Sequence, residues 1–139
     1  MKKQAFTLIG VLTLVLAAGS AFAQSEEVRA TVPFDFVAGQ TTVPAGTYSI
    51  TRLNMTSDIV VIHGQNKKAN LMVGTMKRGS LKTCEKTKLV FHRYGDRYFL
   101  SQIWVEGSSR LRELPKGKLE SEMARNSSPQ DVVLYASIR

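Results

Sequence analysis

Hydrophobic positions along most of this chain recur at every second residue, and helical spacing is nearly absent. Period two is the signature of strands with one buried face. In residues 28–36, Val32, Phe34 and Phe36 share one face while Pro33 and Asp35 share the other. Pro33 has no amide hydrogen for a ladder, which predicts a sheet edge or a bulge there. Ala38-Gly39-Gln40 turns the chain into a short strand over 41–43. Pro44 and Gly46 then occupy the second and fourth positions of a type I turn. Residues 47–53 alternate again, with Tyr48 and Ile50 inward and Ser49 and Thr51 outward. After a turn at 54–57, residues 58–63 are apolar on both faces, as an interior strand requires. Residues 71–76 form another strand. Residues 77–87 show no period and read as a mobile loop.

The strongest local pattern is FHRYGDRYFLSQIW, residues 91–104. Two β-rich runs, 88–94 and 97–104, are separated by Gly95-Asp96 alone, which suits a type II′ hairpin turn. The implied register places Tyr94 opposite Arg97, Arg93 opposite Tyr98, His92 opposite Phe99 and Phe91 opposite Leu100. One face then carries Leu89, Phe91, Tyr98, Leu100 and Trp104. The other carries Val90, His92, Tyr94, Phe99 and Ile103. Both faces are apolar, so the hairpin belongs in mid-sheet. Cross-strand aromatic pairing accounts for the crowding. His92 reads as a packed imidazole, and Arg93 can stack on Tyr98.

Gly107-Ser108-Ser109 interrupts the pattern. Residues 114–126 are the one helix candidate, with Pro115 at the first position, Leu119 and Met123 on one face, and Asn126 at the end. Residues 131–138 form a last strand. Together these elements predict an all-β domain, a small antiparallel barrel or sandwich of about eight strands with one short helix near the C-terminus.

The first residues change the picture of destination. Lys2 and Lys3, an apolar run over 6–18 and Ala21-Phe22-Ala23 match a secretory signal cleaved after Ala23. Removing residues 1–23 of the 139 leaves 116, enough for one domain with a modest core. No second stretch approaches the ~20 apolar residues of a membrane span. The predicted location is the periplasm or the extracellular space. Cys84 is the only cysteine, so no intramolecular disulfide supports the domain. It reads as an unpaired loop or edge residue, beside Lys82, Lys86 and Lys88.

The net charge is +8, and it is concentrated. Residues 64–93 hold eight basic side chains against Glu85 alone. Lys67, Lys68, Lys77, Arg78, Lys82, Lys86 and Lys88 are the candidate contacts to an anionic envelope surface, lipid or polysaccharide. The competing account is that these lysines solvate loops and guard strand edges. Export and the lack of aromatic interleaving in 64–80 argue against nucleic acid.

No zinc-protease, EF-hand, nucleophile-elbow or phosphate-loop motif occurs. His63 and His92 lie on separate strands, so neither a metal nor a cofactor is expected. Glu120 and Glu122 are two apart and cannot face each other on a helix; they read as a solvated face.

Residues 28–39 (VRATVPFDFVAG), 43–48 (VPAGTY), 88–104 and 112–116 (RELPK) resemble a group of small exported β-rich proteins of environmental Gram-negative bacteria. The resemblance covers nearly all of the chain after residue 23. It implies export and a single β-rich domain, and it carries no activity or site residues. The function expected on these grounds is a non-enzymatic binding or structural domain of the cell envelope. Two alternatives stand beside it: a lipocalin-like carrier of a small apolar ligand, and a small hydrolase using His92 with a nearby carboxylate.

Overall fold

A computed structural model describes residues 26–65 and 70–138. The expected export signal at 1–23, and Lys67 and Lys68, lie outside the described residues. The chain forms an all-β sandwich with one helix near the C-terminus. The elements are β1 (Val28–Val32), β2 (Phe36–Ala38), β3 (Thr41–Val43), β4 (Gly46–Arg52), β5 (Ile59–Gly64), β6 (Asn70–Gly74) and β7 (Met76–Gly79). They continue with β8 (Lys88–Tyr94), β9 (Arg97–Trp104), β10 (Arg110–Glu113), α1 (Lys118–Ala124), β11 (Gln130–Tyr135) and β12 (Ser137–Ile138).

One sheet runs β12-β1-β4-β5-β6. The other runs β11-β8-β9-β10-β7, with β2 joining β9 in parallel at Val37 and Phe99, and β3 paired outside β2. β5 is interior, as its two apolar faces require, and so are β8 and β9. A shared core fills the space between the sheets. Phe91, Ile62, Val32 and Val60 are the largest side chains buried there completely. Phe34 stacks on Tyr98 at 3.8 Å between ring centres and meets Phe91 edge-on at 5.0 Å.

The strand count exceeds eight because β10 forms where the sequence pattern marked no strand, and because three expected single strands pass from one sheet to the other. The first ends at Val32; Pro33, without an amide to offer, starts the corner that leads to β2. The second breaks at the buried Thr75, whose amide donates to Asp58 O at 3.0 Å, so 70–74 and 76–79 pair in different sheets. The third breaks at Ala136, whose amide donates to Thr87 O at 2.9 Å. β7 also occupies the start of the segment expected to be a loop, because β10 supplies it with an antiparallel partner.

The helix is shorter than its pattern. It begins after Gly117, leaving Leu114 buried against the sheet with its amide donated to Ser101 O at 2.8 Å. Gly117 lies so near the other chain segment that a Cβ there would meet Gly39 O at 2.9 Å. Its buried face is turned by one residue from the expected one: Leu119 is exposed, Glu120 is buried, and Met123 and Ala124 pack on Tyr94, Phe99 and Val37. The helix therefore covers the outer face of the β8–β9 hairpin.

That hairpin has the expected register from Tyr94–Arg97 back to Phe91–Leu100, and Gly95 takes the positive φ of 60° that its turn demands. Beyond Phe91 the ladder slips by one. Val90 pairs with Gln102, Leu89 with Ile103 and Lys88 with Trp104, so Ser101 is the additional residue of a β-bulge. A one-residue slip exchanges faces. Ile103 consequently joins Leu89, Phe91 and Leu100 in the core, and Trp104 leaves the face it shares with them in the unbulged pattern.

Candidate functional site

The slip at Ser101 brings the aromatic and basic residues of one surface together. Lys88 stands between Trp104 on β9 and Tyr135 on β11 as their direct cross-strand neighbour. Its ammonium lies 5.1 Å from the Trp104 ring centre, while the Lys86 ammonium lies 5.6 Å from that of Tyr135. Both distances are within cation–π range. The indole N–H donates to Gln102 Oε1 at 2.9 Å, which fixes the ring on the surface.

The segment 80–87 closes this face into a groove with Lys82, Lys86, Lys88, Trp104 and Tyr135 around it. It is anchored rather than loose. Ser80 N donates to Ser109 O at 2.7 Å and Cys84 N to Ser108 O at 3.0 Å, while Gly107 N donates to Cys84 O at 2.9 Å. Cys84 is buried and free, its thiol directed to Lys86 O at 2.8 Å. Leu81 projects from this anchored segment fully into solvent.

Of the basic residues singled out by the charge pattern, Lys82, Lys86 and Lys88 converge here. None of the three forms an ion pair among the described residues. Lys77 and Arg78 do not join them. Lys77 pairs with Asp58 at 3.4 Å, and Arg78 pairs with Glu113 at 2.9 Å across β7 and β10. Charge spacing finds the lysines but not Trp104, Tyr135 or Leu81. The last has a local signal, a lone leucine between polar residues in a segment without period.

A second polar cluster lies under α1. His92 is not simply wedged among apolar neighbours: its Nδ1 is 2.7 Å from Glu120 Oε1, and its Nε2 is 3.7 Å from Asp131 Oδ1. The buried Tyr94 hydroxyl donates to the same Glu120 oxygen at 3.3 Å. Glu120 is therefore a buried acceptor and not part of a solvated face. Its signal was available in the helical spacing of 120, 123 and 124. Burial first, then the charge of Glu120 and the hydrogen bond to it, raise the Tyr94 pKa above the ordinary phenol value.

A carboxylate within reach of His92 is what a hydrolase needs, but both imidazole nitrogens face carboxylates, and no hydroxyl or thiol nucleophile is bonded to the ring among the described residues. The arrangement fastens α1 to β8. His63 has both nitrogens engaged as well, by Thr51 at 3.2 Å and Asn70 at 2.9 Å. Among the described residues, no three His, Cys, Asp or Glu side chains are grouped to hold a metal ion, and no helix is long and apolar enough to cross a membrane.

No protein-family model matches the chain, and no curated protein or solved structure matches it either.

Proposed function

We propose that this protein is an exported, non-enzymatic binding domain that attaches to an anionic lipid surface through the face formed by Leu81, Lys82, Lys86, Lys88, Trp104 and Tyr135. The observation that carries this reading is the convergence of three lysines, none paired to a carboxylate among the described residues, with Trp104 and Tyr135 around a groove that Glu85 also lines, while Leu81 projects fully into solvent from the segment that closes it.

Each component has a role at a lipid–water boundary. A basic side chain close to an anionic leaflet contributes about 1 kcal/mol. Tyr and Trp favour the headgroup level, where one end of the ring is apolar and the other wet. Sinking a leucine out of water adds about 1.5–3 kcal/mol. The backbone hydrogen bonds that anchor 80–87 fix the segment carrying Leu81, Lys82 and Lys86 before contact, which lowers the ordering cost of binding. Lysines that only solvate a loop have no reason to surround a half-buried tryptophan and an exposed tyrosine.

Co-sedimentation of the purified protein with phosphatidylglycerol-containing vesicles tests this. Binding is expected to be strong at low salt and to collapse near 1 M salt, where the Debye length is about 3 Å. Equal retention on neutral phosphatidylcholine vesicles, or retention on an acidic polysaccharide in place of lipid, would overturn the reading.

A further inference from the structure

At the end of the sandwich where β1, β4 and β5 face β9 and β10, the two sheets leave a cleft of about 240 Å³ that opens to solvent. Its floor comes from both sheets: Val28, Ile50 and Val60 from one, Ile103 and Leu111 from the other. These are core side chains, each less than a tenth exposed. Its mouth is ringed by Arg52, Lys77, Arg110 and Arg112.

The carboxylates present do not balance that ring. Asp58 serves two of the cations, Lys77 at 3.4 Å and Arg112 at 3.6 Å. Arg112 is further held by the Thr75 hydroxyl at 3.2 Å. Arg52 reaches only the sulfur of Met55, at 3.7 Å, and Arg110 forms no ion pair among the described residues. Among the described residues, Glu26 is the one acidic side chain lining the cleft.

We infer that this cleft binds a single-chain anionic amphiphile of the fatty-acid type. The chain lies along Val28, Ile103 and Leu111, and the carboxylate sits at the mouth between Arg52 and Arg110. Charge complementarity selects an anionic head, because two guanidinium groups stand ready to accept it without displacing a carboxylate. Size limits the tail: 240 Å³ is below the ~300 Å³ at which drug-sized sites begin, so a two-chain lipid is too large. This inference goes beyond the surface reading and uses none of its residues. The two sites share only a wall, since Ser108 lines the cleft and accepts the Cys84 amide at the groove.

Titration with decanoate, in the absence of vesicles, tests it through the methyl NMR signals of Val28, Ile103 and Leu111. Saturable shifts are expected with decanoate, and weaker binding by about tenfold or more in the exposed pair of substitutions Arg52→Gln and Arg110→Gln. Val105→Trp, which places an indole on the cleft wall, is expected to abolish the shifts while thermal unfolding shows the fold retained. Decanol or decyltrimethylammonium binding as tightly as decanoate would overturn the inference, as would undiminished binding by the arginine variants. Absence of methyl shifts at saturating decanoate would also overturn it. Failure of vesicle binding leaves these readouts unaffected, so the two proposals fail separately.

Discussion

Lys88 lies directly across the strand from Trp104, with its ammonium 5.1 Å from the indole ring centre. The pairing exists because Ser101 bulges from β9. Continued without the bulge, the hairpin register would set Trp104 opposite Thr87. One additional residue therefore performs two tasks: it carries Ile103 into the core, and it presents the only tryptophan on the surface beside Lys88.

Because the tryptophan is unique, its emission reports the proposed lipid contact directly. On addition of anionic vesicles at low salt, Trp104 emission is expected to shift to shorter wavelength, and the shift should vanish at high salt. An unchanged spectrum with protein co-sedimenting would place the contact elsewhere.

Lys82→Glu with Lys86→Glu exchanges two attractive charges for repulsive ones. At about 1 kcal/mol per basic residue, vesicle affinity should fall more than tenfold. Both side chains are exposed, so the urea midpoint should change little. The matching double substitution at Lys77 and Arg78, whose cations are already paired with Asp58 and Glu113, should have a smaller effect on affinity. Equal losses from both variants would show that only net charge matters.

Glu120→Ala removes the acceptor shared by His92 and Tyr94, leaving two donors without it under α1. A cost of about 1–3 kcal/mol is expected in chemical denaturation. A double-mutant cycle with His92→Ala should show coupling of about 0.5–3 kcal/mol. Strict additivity would mean that the pair does not fasten the helix.

Tyr48 and Tyr94 both have pKa values raised above that of a free phenol. Burial is the main cause at each, reinforced by Asp35 for the first and Glu120 for the second. A folded-state pKa above the unfolded value means that the native form holds the proton more tightly. The stabilising contribution is complete below pH ~10 and is lost as pH rises through the folded-state value. Stability should accordingly decline above pH ~10. Tyr94→Phe should delete a late component from the phenolate absorbance titration, and a loss from the early part of the curve instead would contradict the assigned environment.

Phe91 is completely buried, and Phe34 and Phe36 meet its ring edge-on at 5.0 and 5.5 Å. Phe91→Ala should cost about 3–5 kcal/mol. A cost below 1 kcal/mol, measured in urea, would indicate that the core closes around the gap.

Much of the fold was legible because its information is local. Alternation marks β4, two apolar faces place β5 inside its sheet, and Gly95-Asp96 sets the register of β8 against β9 as far as Phe91. Period and turn chemistry act over a few residues, and the chain states both openly. The strand ends were less legible. Thr75 and Ala136 carry no breaker signal; the chain changes sheets there because distant carbonyls, Asp58 O and Thr87 O, accept their amides.

The candidate surface divides in the same way. Charge spacing identified Lys82, Lys86 and Lys88, since charge is additive along a chain. Which lysines remain unpaired is a matter of what folds beside them: Asp58, just before β5, and Glu113 on β10 neutralise Lys77 and Arg78. The burial of Glu120 likewise depends on His92 and Tyr94, 28 and 26 residues away. Local pattern sets which elements form. Whether a particular side chain ends in the core, in a salt bridge or at the surface is settled by a bulge or by a partner remote in the chain, because face and charge balance exist only once the sheets have packed.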